Sequence, residues 1–263
     1  MIRRARPLLG TFFEISLNAP SEAIAHEAIE SGFEEAARLE ELLSFFNPQS
    51  EITRLNSDAY QAAQQVGDDL LELLKFCNEL SGHSSYIFNI VTPQTVDTMT
   101  DMILIEGRTV FFRRKIKIDL GGVAKGYIVD KAVQKVLQHS VSNVIVNAGG
   151  DLKVAVSDGI PIGIRDPRDP SQCAEAITIS SGALATSGPY FSFSKLINPP
   201  TGELVNDSKS VSVIAESCMI ADALTKVVAL SKNDITPLLQ RYNATAIVLE
   251  VEANGSLSRG YYQ

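Results

Sequence analysis

Asp119-Leu-Gly-Gly-Val-Ala-Lys-Gly126 joins two segments of opposite periodicity. Before it, Lys115-Ile-Lys-Ile118 alternates polar and apolar residues as a strand does. After it, Ile128, Ala132, Val133, Val136 and Leu137 recur close to helical spacing. The stretch therefore predicts a strand, a glycine turn and a helix. Gly121 and Gly122 have two readings. They let the chain turn tightly, or they bare backbone N–H groups and a helix dipole to an anion such as a phosphate. Under the second reading Lys125 adds a positive point charge.

Strands and helices spread outward from this turn without strict alternation. Thr11 to Leu17 predicts an early strand. A helix follows Pro20-Ser21, with Ser21 as N-cap and Ile29, Phe33, Ala36, Leu39 and Leu43 on one face. Residues 47–50 break it, 51–56 predict a helical turn, and 68–80 a second helix. Strands are predicted at 109–118, 143–147, 152–156, 160–165, 174–180, 211–215 and 245–251. Helices are predicted at 122–138, 219–231 and 234–241. The pattern is α+β, and the absence of repeats or a composition break predicts one unit over residues 1–263.

The chain has 263 residues, and 45% are hydrophobic, enough for a sizeable core. Its 23 basic and 31 acidic residues leave a net charge of −8, which argues against nucleic acid as a partner. Arg113-Arg114-Lys115 reads as the polar face of a strand, and Arg3 to Arg6 as a solvated terminus. Cys77, Cys173 and Cys218 lie far apart and form no disulfide framework, so a reducing, cytoplasmic setting is expected. No apolar run reaches membrane-spanning length. His26, His83 and His139 lack metal-ligand spacing.

Several short segments carry polar residues that chemistry can use. Asn147-Ala-Gly-Gly-Asp151 reads as a hairpin turn, or as a loop approaching a ligand with Asp151 as a hydroxyl acceptor. Ala185-Thr186-Ser187-Gly188 reads as an ordinary loop or as an anion contact; no G-x-S-x-G pattern makes Ser187 a hydrolase nucleophile. Lys195 precedes the turn at Asn198-Pro-Pro-Thr-Gly202. Asp222 stands in an apolar helix and needs a partner. Lys226 is available at i+4, and a hard cation such as Mg²⁺ is the alternative.

Together these segments resemble the ApbE family, the FAD:protein FMN transferases. The matching pieces are Gly10-Thr11, Ser50 to Asn56, Asp119 to Asp130, Asn147 to Asp151, Ala185 to Tyr190, Pro199 to Gly202 and Ser217 to Ala223. The resemblance implies an enzyme that binds FAD with Mg²⁺ and moves FMN onto a Ser or Thr hydroxyl of an acceptor flavoprotein, releasing AMP. It implies an acceptor motif of the type Asp-x-x-(Ser/Thr)-Gly-Ala-(Ser/Thr). It implies FAD contacts at Gly121, Gly122, Lys125, Asp151, Thr186, Ser187 and Gly188. It implies catalytic roles at Lys195 and Asp222, and metal ligands at Ala124, Asp222 and Thr225. A flavin-binding protein without catalysis and an FAD pyrophosphatase are the competing readings.

The chain departs from the family pattern at specific positions. Lys195 stands where the family has His, and a lysine at its ordinary pKa of about 10.4 is protonated at neutral pH. Lys226 stands where the metal-ligand Thr is expected. Thr225 falls one residue early, roughly 100° around the helix. Asn89 and Asn198 replace acids, and the stretch from Pro93 to Thr109 is short. These changes remove oxygen ligands and negative charge, so a weakened Mg²⁺ site with lysine charge in its place is expected.

Overall fold

A computed structural model describes residues 1–92, 99–188 and 209–263. In chain order its elements begin with β1 (Ile2–Leu8), β2 (Thr11–Asn18), α1 (Glu22–Leu43), α2 (Glu51–Asp58), β3 (Gln64–Gln65) and α3 (Asp68–His83). Next come β4 (Val91–Thr92), α4 (Met99–Met102), β5 (Ile103–Glu106), β6 (Thr109–Phe112), β7 (Lys117–Ile118) and α5 (Ala124–Val136). The rest are β8 (Ser142–Ala148), β9 (Asp151–Asp166), β10 (Asp169–Ser187), β11 (Lys209–Ala215), α6 (Cys218–Leu230), α7 (Thr236–Arg241), β12 (Thr245–Val251) and β13 (Leu257–Tyr262). The class is α+β.

One antiparallel sheet of eight strands runs in the order β1-β2-β8-β9-β10-β11-β12-β13. Its inward residues alternate along each strand: Phe13, Ile15 and Leu17 on β2, and Val144, Val146 and Ala148 on β8, are fully buried. Helices α1, α5 and α6 cover that face, with α6 against β10 and β11 and α5 against α1 and α6. The small sheet β3-β6-β5 and the ribbon β4-β7 stand apart from the large sheet but share its hydrophobic core. Among the described residues no helix is long and apolar enough to cross a membrane.

The predicted strand, turn and helix are present as β7, residues 119–123 and α5. Asn56 fixes the entry to this turn. Its side chain donates to the Ile118 carbonyl at 2.9 Å and accepts from the Ile118 amide at 2.7 Å. The predicted strand 109–118 is broken, because Arg113, Arg114 and Lys115 form an exposed bend between β6 and β7. The separate strands 152–156 and 160–165 are one long strand, β9, which pairs with an equally long β10. The basic terminus is not free: Ile2 to Leu8 pairs with β2 through a turn in which Leu9 and Gly10 both take positive φ.

Candidate active site

The N-termini of α5 and α6 lie side by side, and Gly126 sets their separation. A Cβ there would meet the Cys218 carbonyl oxygen at 2.3 Å, so only glycine permits the approach. The approach lets the Gly126 amide donate to Asp222 Oδ2 at 3.1 Å. From the same helix as Asp222, Lys226 Nζ donates to the Asp222 carbonyl at 2.9 Å and to its Oδ1. The Asp222 side chain is 1% exposed. Its ion pair with Lys226 is the i+4 pairing that the helix spacing offered.

A second pair stands beside the first. Lys125 Nζ lies 2.7 Å from Asp151 Oδ2, and the Asp151 side chain is 3% exposed. This oxygen therefore has the Lys125 ammonium as its ion-pair partner. Burial pushes the Asp151 carboxyl up, repulsion from Asp222 adds to this, and Lys125 and Lys226 oppose it. Burial alone would lower Lys125; Asp151 and Asp222 together carry it above its ordinary value. Asp151 thus shifts upward chiefly through burial, and Lys125 through its two carboxylate neighbours. The close ion pair leaves Lys125 charged.

The glycine turn spends most of its own amides. Gly121 N–H donates to Asp119 Oδ1 at 2.8 Å, and the Val123 and Ala124 amides donate to the Leu120 carbonyl at 2.9 and 2.8 Å. It is therefore not a nest of free N–H groups, and any ligand meets chiefly the two ammonium groups. Among the described residues, a Cβ on Gly122 would find only Phe88 at 3.9 Å and Lys226 Cε at 4.0 Å, so that side of the turn is open to them. Helix α5 begins with no side-chain cap.

Thr186 and Ser187 end β10 next to this cluster. Thr186 Oγ1 lies 2.9 Å from Ser212 Oγ, and Ser187 Oγ lies 2.7 Å from Thr225 Oγ1. Thr225 donates in turn to the Asp222 carbonyl at 2.7 Å and is fully buried. Its hydroxyl is thus spent on the helix and on Ser187. Gly188 closes this segment. Lys195, with Asn198 and the 199–202 turn, lies outside the described residues.

Magnesium prefers about six oxygen ligands in octahedral geometry. Here both carboxylate oxygens of Asp222 already accept, one from an ammonium and one from an amide. Thr225 is turned to Ser187. Among the described residues the side-chain oxygens expected as ligands are thus already engaged, and they do not fit the Mg²⁺ that the resemblance implies.

Two positioning residues carried no role in the sequence reading. Asp130 on α5 accepts from the Ser217 hydroxyl at 2.7 Å and from the Cys218 and Met219 amides, each at 2.9 Å. It locks the start of α6 to α5. Thr11 packs against Gly149, whose Cβ would lie 2.5 Å from Thr11 Oγ1. This places the β1–β2 turn beside the 147–151 hairpin that carries Asp151. A cavity of about 570 Å³, lined by Pro7, Leu8, Gly10, Thr11, Phe12 and Glu40, opens there. The charged chemistry lies beyond it, and Phe12 is 73% exposed. An acid nearly two turns into an apolar helix was the only signal for Asp130, and an N-cap Ser immediately before an apolar run the only one for its partner.

A protein from Vibrio cholerae named FAD:protein FMN transferase is 27% identical over 222 residues, covering 69% of this chain and 66% of that one. Proteins of the same name from Treponema pallidum and Rhodobacter capsulatus are 28% identical. The chain spans 48% and 32% of their lengths, so it matches between a third and two thirds of these relatives. The ApbE protein of Thermotoga maritima shares the fold, with a TM-score of 0.86 at 23% identity over 98% of this chain and 96% of that one. The flavin transferase ApbE of Vibrio cholerae gives 0.82 at 22% identity over 100% and 97%. A profile of the ApbE family matches residues 9–249, and the chain belongs to the ApbE family.

Proposed function

We propose that residues 1–263 act as one FAD:protein FMN transferase, with FAD as donor and a Ser or Thr hydroxyl of a flavoprotein as acceptor. The observation that supports it most is the convergence of two ammonium groups, Lys125 and Lys226, with the open face of Gly122 at the start of α5. Ammonium N–H groups are donors suited to phosphate oxygens.

In the reaction the acceptor oxygen attacks the phosphorus on the FMN side of the pyrophosphate. That P–O bond forms as the bond to the AMP phosphate oxygen breaks, and the hydroxyl proton leaves to a base. Lys125 and Lys226 hold the charge of the two phosphates. Asp222 holds Lys226 in place; with both oxygens engaged it acts as a positioning group. Lys195 is the sequence candidate nearest the role of base or phosphate contact.

The test is incubation of the chain with FAD and an acceptor carrying the flavinylation motif. An acceptor mass gain equal to FMN with equimolar AMP is expected. FMN and AMP formed equally well without acceptor would replace the reading with a pyrophosphatase, and intact FAD in both cases would overturn it.

A further inference from the structure

Lys226 sits under the glycine turn, since a Cβ on Gly122 would touch its Cε at 4.0 Å. An ammonium has three protons. Lys226 gives two to Asp222, one to the carbonyl and one to Oδ1, and its side chain remains 20% exposed. Among the described residues one N–H is left without an acceptor and is available to a ligand. The charges also close without a metal. Asp151 and Asp222 contribute two negative charges, and Lys125 and Lys226 two positive ones. A divalent ion on Asp222 would have to expel the ammonium from its carboxylate and bring two positive charges into a neutral cluster.

We propose that the Lys226 ammonium is the resident cation of this site, and that the chain takes the FAD pyrophosphate without a divalent metal. The part of this inference that concerns FAD rests on the transferase reading above; the part that concerns the cation rests on Asp222 and Lys226 alone.

The full chain is titrated with Mn²⁺, followed by its EPR signal, with and without FAD. FAD binding is measured by flavin fluorescence in EDTA and in excess Mg²⁺. The parent chain is expected to bind no Mn²⁺ tightly and to change its FAD affinity by less than about twofold between the two conditions. Lys226→Thr leaves two carboxylates against one ammonium. It is expected to bind one Mn²⁺ and to lose FAD affinity about 10- to 100-fold in EDTA, with recovery in Mg²⁺. Lys226→Arg keeps a cation and is expected to remain indifferent to metal. Tight Mn²⁺ binding by the parent chain that Asp222→Asn removes would overturn the inference, as would FAD binding that EDTA abolishes. If FAD binds in neither condition, the transferase reading falls, and the Mn²⁺ titration still decides the nature of the cation.

Discussion

Helices α5 and α6 start side by side and are finished in opposite ways. At α6 every early amide meets a protein acceptor: Asp130 takes Cys218 and Met219, and the Ser217 hydroxyl takes Ile220 at 3.3 Å. At α5 there is no side-chain cap, Val123 has φ −149°, and two glycines leave the approach open. Unsatisfied amides and a positive dipole end are costly when buried and useful when a ligand completes them. The difference teaches that α6 is the fixed wall of the site and α5 its working face. Lys226 belongs to the wall but reaches under the working face.

Substitutions at the two helix starts sharpen this contrast. The largest effect is expected from Gly126→Ala, whose Cβ would meet Cys218 O at 2.3 Å, Cys218 C at 2.6 Å and Asp222 Cβ at 2.9 Å. Two backbone atoms and a helix stem cannot yield cheaply, so a loss of about 3 kcal/mol is expected in urea unfolding. Unchanged stability would mean that α5 and α6 are not held this close. Asp130→Ala removes the acceptor of two amides and one hydroxyl and is expected to cost about 2 kcal/mol by the same measurement. Ser217→Ala leaves Asp130 in place and loses one cap, an expected cost of about 1 kcal/mol. Gly122→Ala is the counterpart on the working face. With neighbours no nearer than 3.9 Å it is expected to shift stability by less than about 0.5 kcal/mol. Its methyl stands where a phosphate would approach, so FAD affinity is expected to fall while the melting temperature holds.

Much of this was legible in the sequence where periodicity and turn chemistry agreed. The strand, glycine turn and helix around Gly121 and Gly122 are present, as is the hairpin at 147–151. Asp222 meets Lys226, as their i+4 spacing allowed. The edges were harder to read. Strand β1 carries Arg3, Arg4 and Arg6, shows no apolar alternation and is held by main-chain pairing with β2 and by Arg6, which ion-pairs with Glu30 and lies over Phe33 of α1. Charged edge strands guard against pairing with other chains and so look like solvated termini. Strand β13 holds Arg259 and Gly260 and was missed for the same lack of pattern. The strands of the β9–β10 hairpin read as shorter pieces because Asp158-Gly159 interrupts β9 like a turn; the pairing shifts register there, from Ala155 opposite Ser181 to Ile160 opposite Ile179, while the strand continues. In the site, burial decides what spacing cannot. Thr225 is one residue from Lys226, yet it faces Ser187 and not the carboxylate. Nor could spacing show that the Gly121 and Ala124 amides are consumed within the turn.

Hydrogen exchange of the full chain with and without FAD tests the central claim most directly, that FAD completes the open start of α5. The amides of 119–126 are expected to gain protection on FAD addition, while the first turn of α6, already satisfied by Asp130 and Ser217, is expected to exchange slowly in both states. FAD that binds saturably but protects another region, such as the tip of the β9–β10 hairpin, and leaves 119–126 unchanged would contradict it.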